Sequence, residues 1–308
     1  IYNYLKTKIT MIFEKEVTDI IVDNDTIKGI KIKNSEDIFA KYVMLGVGRE
    51  GSKWLDKIFS SRNIKMTQNQ VDIGVRVETS NLVMEEINKT LYEGKFLYRT
   101  KYGTVVRTFC SNPSGHVVME NYEGVVNVNG HSYNDSKLGS ENTNFALLVS
   151  HHFEEPFNKP NEYALKVSSL ANQLACGSVL VQRFGDILLG RRTNAKRIQE
   201  GFIKPTLKEA VPGDLSLCLP YNTMASIIEM IKVLDHITPG IATEHTLLYG
   251  VEAKYYSAHP DIEKTLELKE IKNLFVGGDG AGITRGLAQA GACGVYIARN
   301  IIDKIGNK

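Results

Sequence analysis

The chain has 308 residues, of which 43% are hydrophobic and 23% are charged, a composition typical of globular proteins that excludes a disordered chain. Its 37 Lys and Arg residues are balanced by 35 Asp and Glu residues, and a net charge of +2 is too small to indicate a nucleic-acid or membrane surface, so a small-molecule substrate is favoured. Four scattered cysteines without a C-x-x-C pair argue against disulfides and zinc, and they favour a reducing, cytoplasmic location.

The first 65 residues predict short β-strands followed by a helix. β-Branched residues are concentrated in ITMIF from Ile9, then in VTDIIVD, IKGIKIKN and IFAKYVMLGVG, with DNDT at 23–26 as a turn. Residues 43–47 are all apolar, which is typical of a strand covered on both faces. The next segment, SKWLDKIFSS, has apolar residues at helical spacing and Ser52 at its N-cap position.

From Val71 the pattern changes to closely spaced strands with Gly, Asn and Ser turns, which indicates an antiparallel sheet. The predicted strands are VDIGVRVE, KFLYRTKY, TVVRTFCS, HVVMENYEG, VVNVNGHS, TNFALLVSHHF and TLLYGVEAKYYS. Helices are predicted after Pro160 and between Asn222 and His236. The second helix has its Met, Ile and Leu side chains on one face, which is expected to lie in the core.

The end of the chain predicts a strand, a glycine-rich loop and a helix. The loop GGDGAGITRG has five glycines in ten residues, more than a tight turn requires, and this favours ligand binding over a turn without a ligand. Amides at the start of the following helix suit an electron-rich oxygen. Asp279 follows the strand, where its carboxylate can accept a hydrogen bond from a sugar or ribityl hydroxyl. Small residues at Gly291 and Ala292, and at neighbouring positions, predict tight packing of the helix on a sheet.

A second glycine pattern, GVGREG, has the G-x-G-x-x-G spacing of a dinucleotide-binding turn at Gly46, Gly48 and Gly51. Two features argue against a complete fingerprint. Glu50 would place a carboxylate beside a pyrophosphate, and the preceding strands form a meander, which is wrong for a first Rossmann strand. Asp72 and Glu78 do follow at a tolerable distance, so an NAD-binding enzyme that uses this turn stays the less favoured alternative.

Three side chains are weak candidates for catalysis. Cys110 in RTFC is a candidate redox or nucleophilic thiol beside Arg107, although a buried strand cysteine is the more ordinary interpretation. His131 in NGHS could donate a proton, but a structural loop histidine is the more ordinary assignment. Arg192 in GRRT could bind a carboxylate or phosphate, and a solvated arginine is equally compatible. The pair His151–His152 has no carboxylate or cysteine at metal-ligand spacing, so no metal is predicted.

Along nearly its whole length the chain resembles the bacterial family of uncharacterised FAD-dependent dehydrogenases, which belongs to the glutathione-reductase-like flavoprotein superfamily. The motifs that carry the resemblance occur in the same order as in that family. They are YVMLGVGREG, VDIGVRVE, RTFCSNPSGHVV, NGHS, NTNFALLV, FGDILLGRRT, PGDLSLCLP, TLLYGVEAKYYS and GGDGAGITRGLAQAGACGVYIARNI. The resemblance implies an α/β fold in which residues 1–65 and 263–308 form a Rossmann-like FAD-binding domain. Residues 66–262 would be an inserted α+β substrate or cap domain. FAD is the implied cofactor, with NAD(P)H as a candidate electron donor.

The resemblance also implies which residues contact FAD. Asp279 would meet the ribityl chain or pyrophosphate, and the amides around Thr284–Gly286 would face the isoalloxazine. LGVGR would be the strand end beside FAD, with Val47 in place of the more usual Thr. The implied cofactor-binding residues are Gly46, Gly48, Gly278, Asp279, Gly280, Gly282, Thr284, Arg285 and Gly286.

Members of this flavoprotein family begin with a βαβ unit that carries the pyrophosphate fingerprint, and the residues before Ile9 do not supply such a unit. We therefore expect an N-terminally truncated chain with an incomplete FAD-binding domain and weak or absent FAD binding. The full-length protein is expected to be an FAD-dependent oxidoreductase, a dehydrogenase of unknown substrate. The alternative from another class is a non-enzymatic fragment or binding domain without flavin. The sequence leaves the substrate and the oligomeric state open.

Overall fold

The computed structural model describes residues 2–91 and 93–306, which fall into two compact units. Unit 1 contains the residues up to Asn69 and those from Tyr256 onward, and unit 2 is Gln70–Tyr255. The first part of unit 1 contains α1 (Tyr2–Leu5), β1 (Val17–Asp23), β2 (Thr26–Ile32), β3 (Ile38–Phe39), β4 (Val43–Leu45), α2 (Ser52–Ser60) and β5 (Met66–Thr67).

Unit 2 contains β6 (Val71–Ser80), α3 (Glu85–Thr90), β7 (Leu97–Arg99), β8 (Val105–Asn112), β9 (His116–Tyr122), β10 (Val125–His131), β11 (Asn142–His151), α4 (Pro160–Leu174), β12 (Leu180–Arg183), α5 (Phe184–Leu188), α6 (Ala195–Glu200), β13 (Val211–Pro212), α7 (Tyr221–Leu234) and β14 (Leu247–Lys254). The rest of unit 1 contains β15 (His259–Pro260), β16 (Leu274–Val276) and α8 (Leu287–Gly306).

Unit 1 begins with a β-meander. Strands β1 and β2 pair antiparallel and β3 adds to β2. The predicted DNDT turn is confirmed, because Asn24 and Asp25 join β1 to β2 with φ of 47° and 54°, a left-handed conformation that Asn and Asp tolerate. The predicted strand at ITMIF is wrong. Residues 9–13 form no strand, and Ile9, Ile12 and Phe13 are exposed because no neighbouring strand pairs with this segment.

The strand pair that leads to the glycine loops lies next in unit 1. Strand β4 pairs in parallel with β16, so both strands end at the same edge. Helix α2 packs beside them and contributes Leu55 and Phe59 to the core. Two predictions fail here. Met44 is 39% exposed, so β4 is covered on one face only, and Ser52 is the first residue of α2 while Gly51, without a side chain, is the N-cap.

Unit 2 is built on a seven-stranded mixed sheet with the order β13-β12-β14-β6-β11-β8-β7. Only β12 and β13 are parallel among these neighbours. Odd-numbered residues of β6 share a core with helices α4 and α7, and α7 buries Met224, Ile227, Ile231 and Leu234 as its spacing predicts. The remaining strands, β9 and β10, form a separate hairpin.

The predicted mixed α/β class, with an antiparallel-sheet and helix region inserted into the chain, is confirmed. The Rossmann-like character of unit 1 and the separate FAD and substrate roles of the two regions stay predictions. No helix within residues 2–91 and 93–306 is both long and apolar enough to cross a lipid bilayer.

Candidate functional site

The loop after β16 is fixed by glycines against the end of β4. Gly278 and Gly282 have φ of 88° and 67°, backbone angles that residues other than glycine rarely adopt. Between them Gly280 donates its N–H to the Val47 carbonyl at 3.0 Å, and a Cβ on Gly280 would overlap the Gly48 carbonyl oxygen. The two glycine motifs therefore form one structure, in which each strand end fixes the position of the other.

Asp279 lies in this loop and its carboxylate is held on both sides. The Thr284 hydroxyl donates a hydrogen bond to Oδ1, and Arg49 Nε lies 3.9 Å from Oδ2. The Asp279 side chain keeps 21% of its surface exposed. Because an ionised carboxylate has about four acceptor positions, Asp279 can still accept a hydrogen bond from a ligand hydroxyl.

Thr284 and Arg285 connect the loop to α8 through contacts of their own. Thr284 is buried, and its hydroxyl donates to Asp279. Arg285 places its guanidinium carbon 4.0 Å from the centre of the Tyr256 ring, and its N–H donates to Gln289 Oε1 at 2.9 Å. These contacts orient the last residues before α8, whose first amides have no partner within the helix and point toward the loop.

Three of the implied cofactor-binding glycines border open space. A Cβ placed on Gly48 or on Gly286 would meet no atom within 4 Å, and one on Gly46 would meet only the Met44 methyl group at 3.4 Å. Close packing of the protein therefore does not account for these three glycines. A ligand that approaches the backbone would account for them, and so the residues present fit an FAD molecule at this edge.

Helix α8 does not pack as its small residues predict. Gly291 and Ala292 are exposed, and the helix buries Cys293 and Ile297 against Phe275 of β16. The buried side chains are four residues apart, so they share one face of the helix, while the small residues lie on its exposed face.

The three catalytic candidates lie on different elements of unit 2. Cys110 is in β8, half-buried, with its N–H donating to Glu93 Oε1 at 2.9 Å, and burial raises the pKa of its thiol although the charges of Arg76 and Lys254 oppose this. His131 is exposed at the end of β10. Arg192 is exposed after α5 and donates to the Pro212 carbonyl at 3.2 Å. No described hydrogen bond or ion pair joins any two of these three side chains, and their catalytic roles stay predictions.

Unit 2 contains a buried ionic group that the sequence interpretation missed. Arg76 and Glu252 have no exposed surface and form a two-point ion pair, with Nε to Oε2 and Nη2 to Oε1 both at 2.8 Å. Lys254 Nζ lies 3.1 Å from the same carboxylate. Burial raises the pKa of Glu252, but the charges and hydrogen bonds of Arg76 and Lys254 outweigh burial and lower it. The group is therefore ionised and internally paired.

The β9–β10 hairpin covers the Arg76 guanidinium of this ionic group. Asn129 Oδ1 accepts a hydrogen bond from Arg76 Nη2 at 3.3 Å, and a Cβ on Gly130 would lie only 2.7 Å from Arg76 Nη1. The glycine at 130 thus permits the hairpin to lie directly on the guanidinium. This contact accounts for Asn129 and Gly130, the first two residues of the NGH motif that suggested a histidine site.

A second buried carboxylate lies on the same face of β6. Glu78 accepts hydrogen bonds from the Tyr249 hydroxyl and from Thr206 Oγ1, both at 2.5 Å, and from Asn142 Nδ2 at 3.1 Å. Burial and the charge of Glu78 raise the pKa of Tyr249 well above its usual value, so the phenol stays protonated and donates. Within residues 2–91 and 93–306, no group of three or more His, Cys, Asp or Glu side chains is placed to hold a metal ion.

Comparisons with known proteins show which family the chain matches. Residues 70–255 match the family model described as "FAD-dependent protein, C-terminal domain-like". An uncharacterised protein from Clostridium beijerinckii is 26% identical over 95% of this chain and 57% of its own length. The tRNA uridine 5-carboxymethylaminomethyl modification enzymes MnmG of Mycoplasmopsis synoviae and Dichelobacter nodosus are each 24% identical, over 98% and 96% of this chain and 46% and 45% of their own lengths.

The chain therefore spans about half the length of the curated relatives it matches. Among solved structures, an oxidoreductase from Methanosarcina mazei aligns over 92% of this chain and 48% of its own, with 12% identity and a TM-score of 0.35. That structural similarity is too low to carry an argument. The family match spans more than half of the chain and coincides with unit 2. The chain belongs to the family of FAD-dependent proteins that share this C-terminal domain.

Proposed function

We propose that this chain is part of an FAD-dependent oxidoreductase, a dehydrogenase of the glutathione-reductase-like superfamily, which acts on a small molecule. Family membership supports an association with FAD. The observation that carries the proposal is the edge of unit 1 where Gly46, Gly48 and Gly286 border open space beside the held carboxylate of Asp279. NAD(P)H is the electron donor we propose.

Each residue at this edge has a distinct role in the proposal. Gly46 and Gly48 let the cofactor approach the backbone at the end of β4. Asp279, fixed by Thr284 and Arg49, accepts a hydrogen bond from a ribityl or ribose hydroxyl. The first amides of α8, a helix of 20 residues, stabilise negative charge next to Gly286. When bound, FAD supplies the acceptance and transfer of a hydride or electrons, and these residues bind and orient it.

A titration of the 308-residue chain with FAD tests the proposal. We expect saturable quenching of FAD fluorescence, and we expect Gly48→Leu to weaken binding at least tenfold because its side chain enters the open space. Gly291→Leu is the matched control, since a Cβ there also meets no atom within 4 Å but lies on the exposed face of α8. No saturation up to about 1 mM FAD, a binding free energy of about −4 kcal/mol, would favour the non-enzymatic binding domain instead.

We propose a small molecule as the substrate although two of the relatives named above modify tRNA. Binding to nucleic acid relies on an excess of positive charge, and this chain has 37 basic against 35 acidic side chains. A filter-binding assay with tRNA checks this choice. Binding that weakens steeply with added salt would reject it.

A further inference from the structure

We infer that one face of the unit 2 sheet binds an organic monocarboxylate that carries a planar group. The binding face consists of Arg107 and Phe109 of β8 and Lys254 of β14, and is called the cationic strip below. That such a compound is the substrate rests on the oxidoreductase function proposed above, whereas binding of the compound class does not.

The cationic strip brings two cations to one aromatic ring. The Arg107 guanidinium carbon lies 4.8 Å and Lys254 Nζ lies 5.8 Å from the centre of the Phe109 ring. Strands β6 and β11 separate β14 from β8 in the sheet. On this face Ala146 of β11 is in register with Phe109, and Leu148 of β11 is in register with Arg107. The Lys254 side chain therefore reaches the ring of Phe109 across two intervening strands.

The charges presented outward by this region are positive. Arg107 Nη2 lies 2.6 Å from Asp72, and Lys254 Nζ lies 3.1 Å from Glu252, which also holds Arg76. Three cations thus meet two carboxylates. Arg76, Asp72 and Glu252 have no exposed side-chain surface, whereas Arg107 and Lys254 keep 22% and 14%. An approaching ligand therefore meets the two cations and not the carboxylates beneath them.

Two other carboxylates of unit 2, Glu78 and Glu93, have donors of their own. Glu78 is held by the hydroxyls of Tyr249 and Thr206, and Glu93 accepts the N–H of Cys110. Both carboxylates thus accept hydrogen bonds from neutral donors.

This arrangement selects the ligand class by charge and by shape. Guanidinium and ammonium groups donate short, charge-assisted hydrogen bonds to a carboxylate. The single excess positive charge among the five ionised groups matches a monoanion better than a dianion. The two cations lie over the ring of Phe109, and its edge is left for a planar group to pack against. An aromatic or conjugated carboxylate satisfies both requirements.

Calorimetric titration with benzoate, and with neutral benzamide of the same shape, tests the inference on the intact chain without flavin. Benzoate is expected to bind at least tenfold more tightly than benzamide. Lys254→Gln is expected to weaken benzoate binding about tenfold, because one charge-assisted hydrogen bond is lost. Lys254→Arg should restore binding. The matched control is Lys101→Gln, since Lys101 also lies over a ring of unit 2, 5.2 Å from the centre of Tyr102.

Equal binding of benzoate and benzamide, or an equal loss in Lys254→Gln and Lys101→Gln, overturns the inference. A circular dichroism spectrum and melting curve for each variant show whether it is folded. If Lys254→Gln is not folded, the comparison of benzoate with benzamide in the Lys254→Arg variant keeps the test decisive. FAD is titrated into the same samples. FAD binding without benzoate binding refutes the cationic strip alone, and benzoate binding without FAD binding refutes the proposed function alone.

Discussion

Replacement of the buried arginine, Arg76→Met, is expected to destabilise unit 2 strongly. The guanidinium makes two bonds of 2.8 Å to Glu252, one of 2.9 Å to the Cys110 carbonyl and one of 3.2 Å to Asn144 Oδ1. Without it, the fully buried Glu252 keeps only Lys254 as a cationic partner. Removal of one member of a buried ion pair costs about 3–5 kcal/mol because the other charge stays uncompensated. That is a large part of the total stability of a typical domain.

The double variant Arg76→Met/Glu252→Leu separates this cause from lost packing. When both charges are removed, no buried ion is left without its partner, so we expect recovery of about 2 kcal/mol or more relative to Arg76→Met. The control is Lys33→Met, which breaks the 2.7 Å pair with Glu16 at the surface, where 58% and 63% of the side chains are exposed. An exposed pair contributes about 0–1 kcal/mol.

Urea denaturation measures these differences. Far-ultraviolet circular dichroism follows both units, while fluorescence of Trp54, the single tryptophan, follows unit 1. We expect the Arg76→Met transition to move to a lower urea concentration in the dichroism signal. A loss below about 1 kcal/mol for Arg76→Met, or a double variant no more stable than the single one, would refute the reasoning.

The same ion pair has a pH signature. The folded pKa of Glu252 lies below its ordinary value of 4.5, because the charges of Arg76 and Lys254 outweigh burial. The stability from this group is therefore fully present above the unfolded pKa and is lost as pH falls through the folded pKa. In Arg76→Met this acid-side loss should become smaller, which unfolding curves between pH 7 and 3 would reveal.

Three smaller predictions concern single glycines and cysteines. Gly280→Ala should lower the stability of unit 1 by about 1–3 kcal/mol in the fluorescence transition, since its Cβ overlaps the Gly48 carbonyl; an unchanged midpoint would contradict the loop geometry. Gly291→Ala, with open space around its Cβ in α8, should stabilise by about 0.5–1 kcal/mol. Burial raises the pKa of Cys218 to about 12, so iodoacetamide at pH 8 should label exposed Cys176 first, and mass spectrometry that finds equal labelling would contradict this.

Local features of the fold could be predicted from the sequence because they depend on neighbouring residues. The DNDT turn follows from the tolerance of Asn24 and Asp25 for positive φ. The core face of α7 follows from apolar residues at helical spacing. The glycine loop around Asp279 could likewise be located, because glycines most readily adopt its φ values and allow its close approach to β4.

The ionic layer of unit 2 could not be predicted, because its cover comes from elsewhere in the chain. The alternation in VDIGVRVE is typical of a strand with one face in water, and Asp72, Arg76 and Glu78 occupy that face. The β9–β10 hairpin lies over Arg76, a contact that no local pattern announces. ITMIF failed for the opposite reason. Its β-branched residues suit a strand, but no neighbouring strand pairs with it.

The most direct test of the central claim, that the glycine-lined edge of unit 1 holds FAD, is a map of amide chemical shifts on the isotopically labelled chain during FAD addition. This measurement detects weak binding as well as tight binding. The account predicts saturable shifts at Gly46, Gly48 and the loop from Gly278 to Gly286, with helix α7 of unit 2 unaffected. Unchanged amides at these glycines, or equal shifts throughout α7, would contradict it.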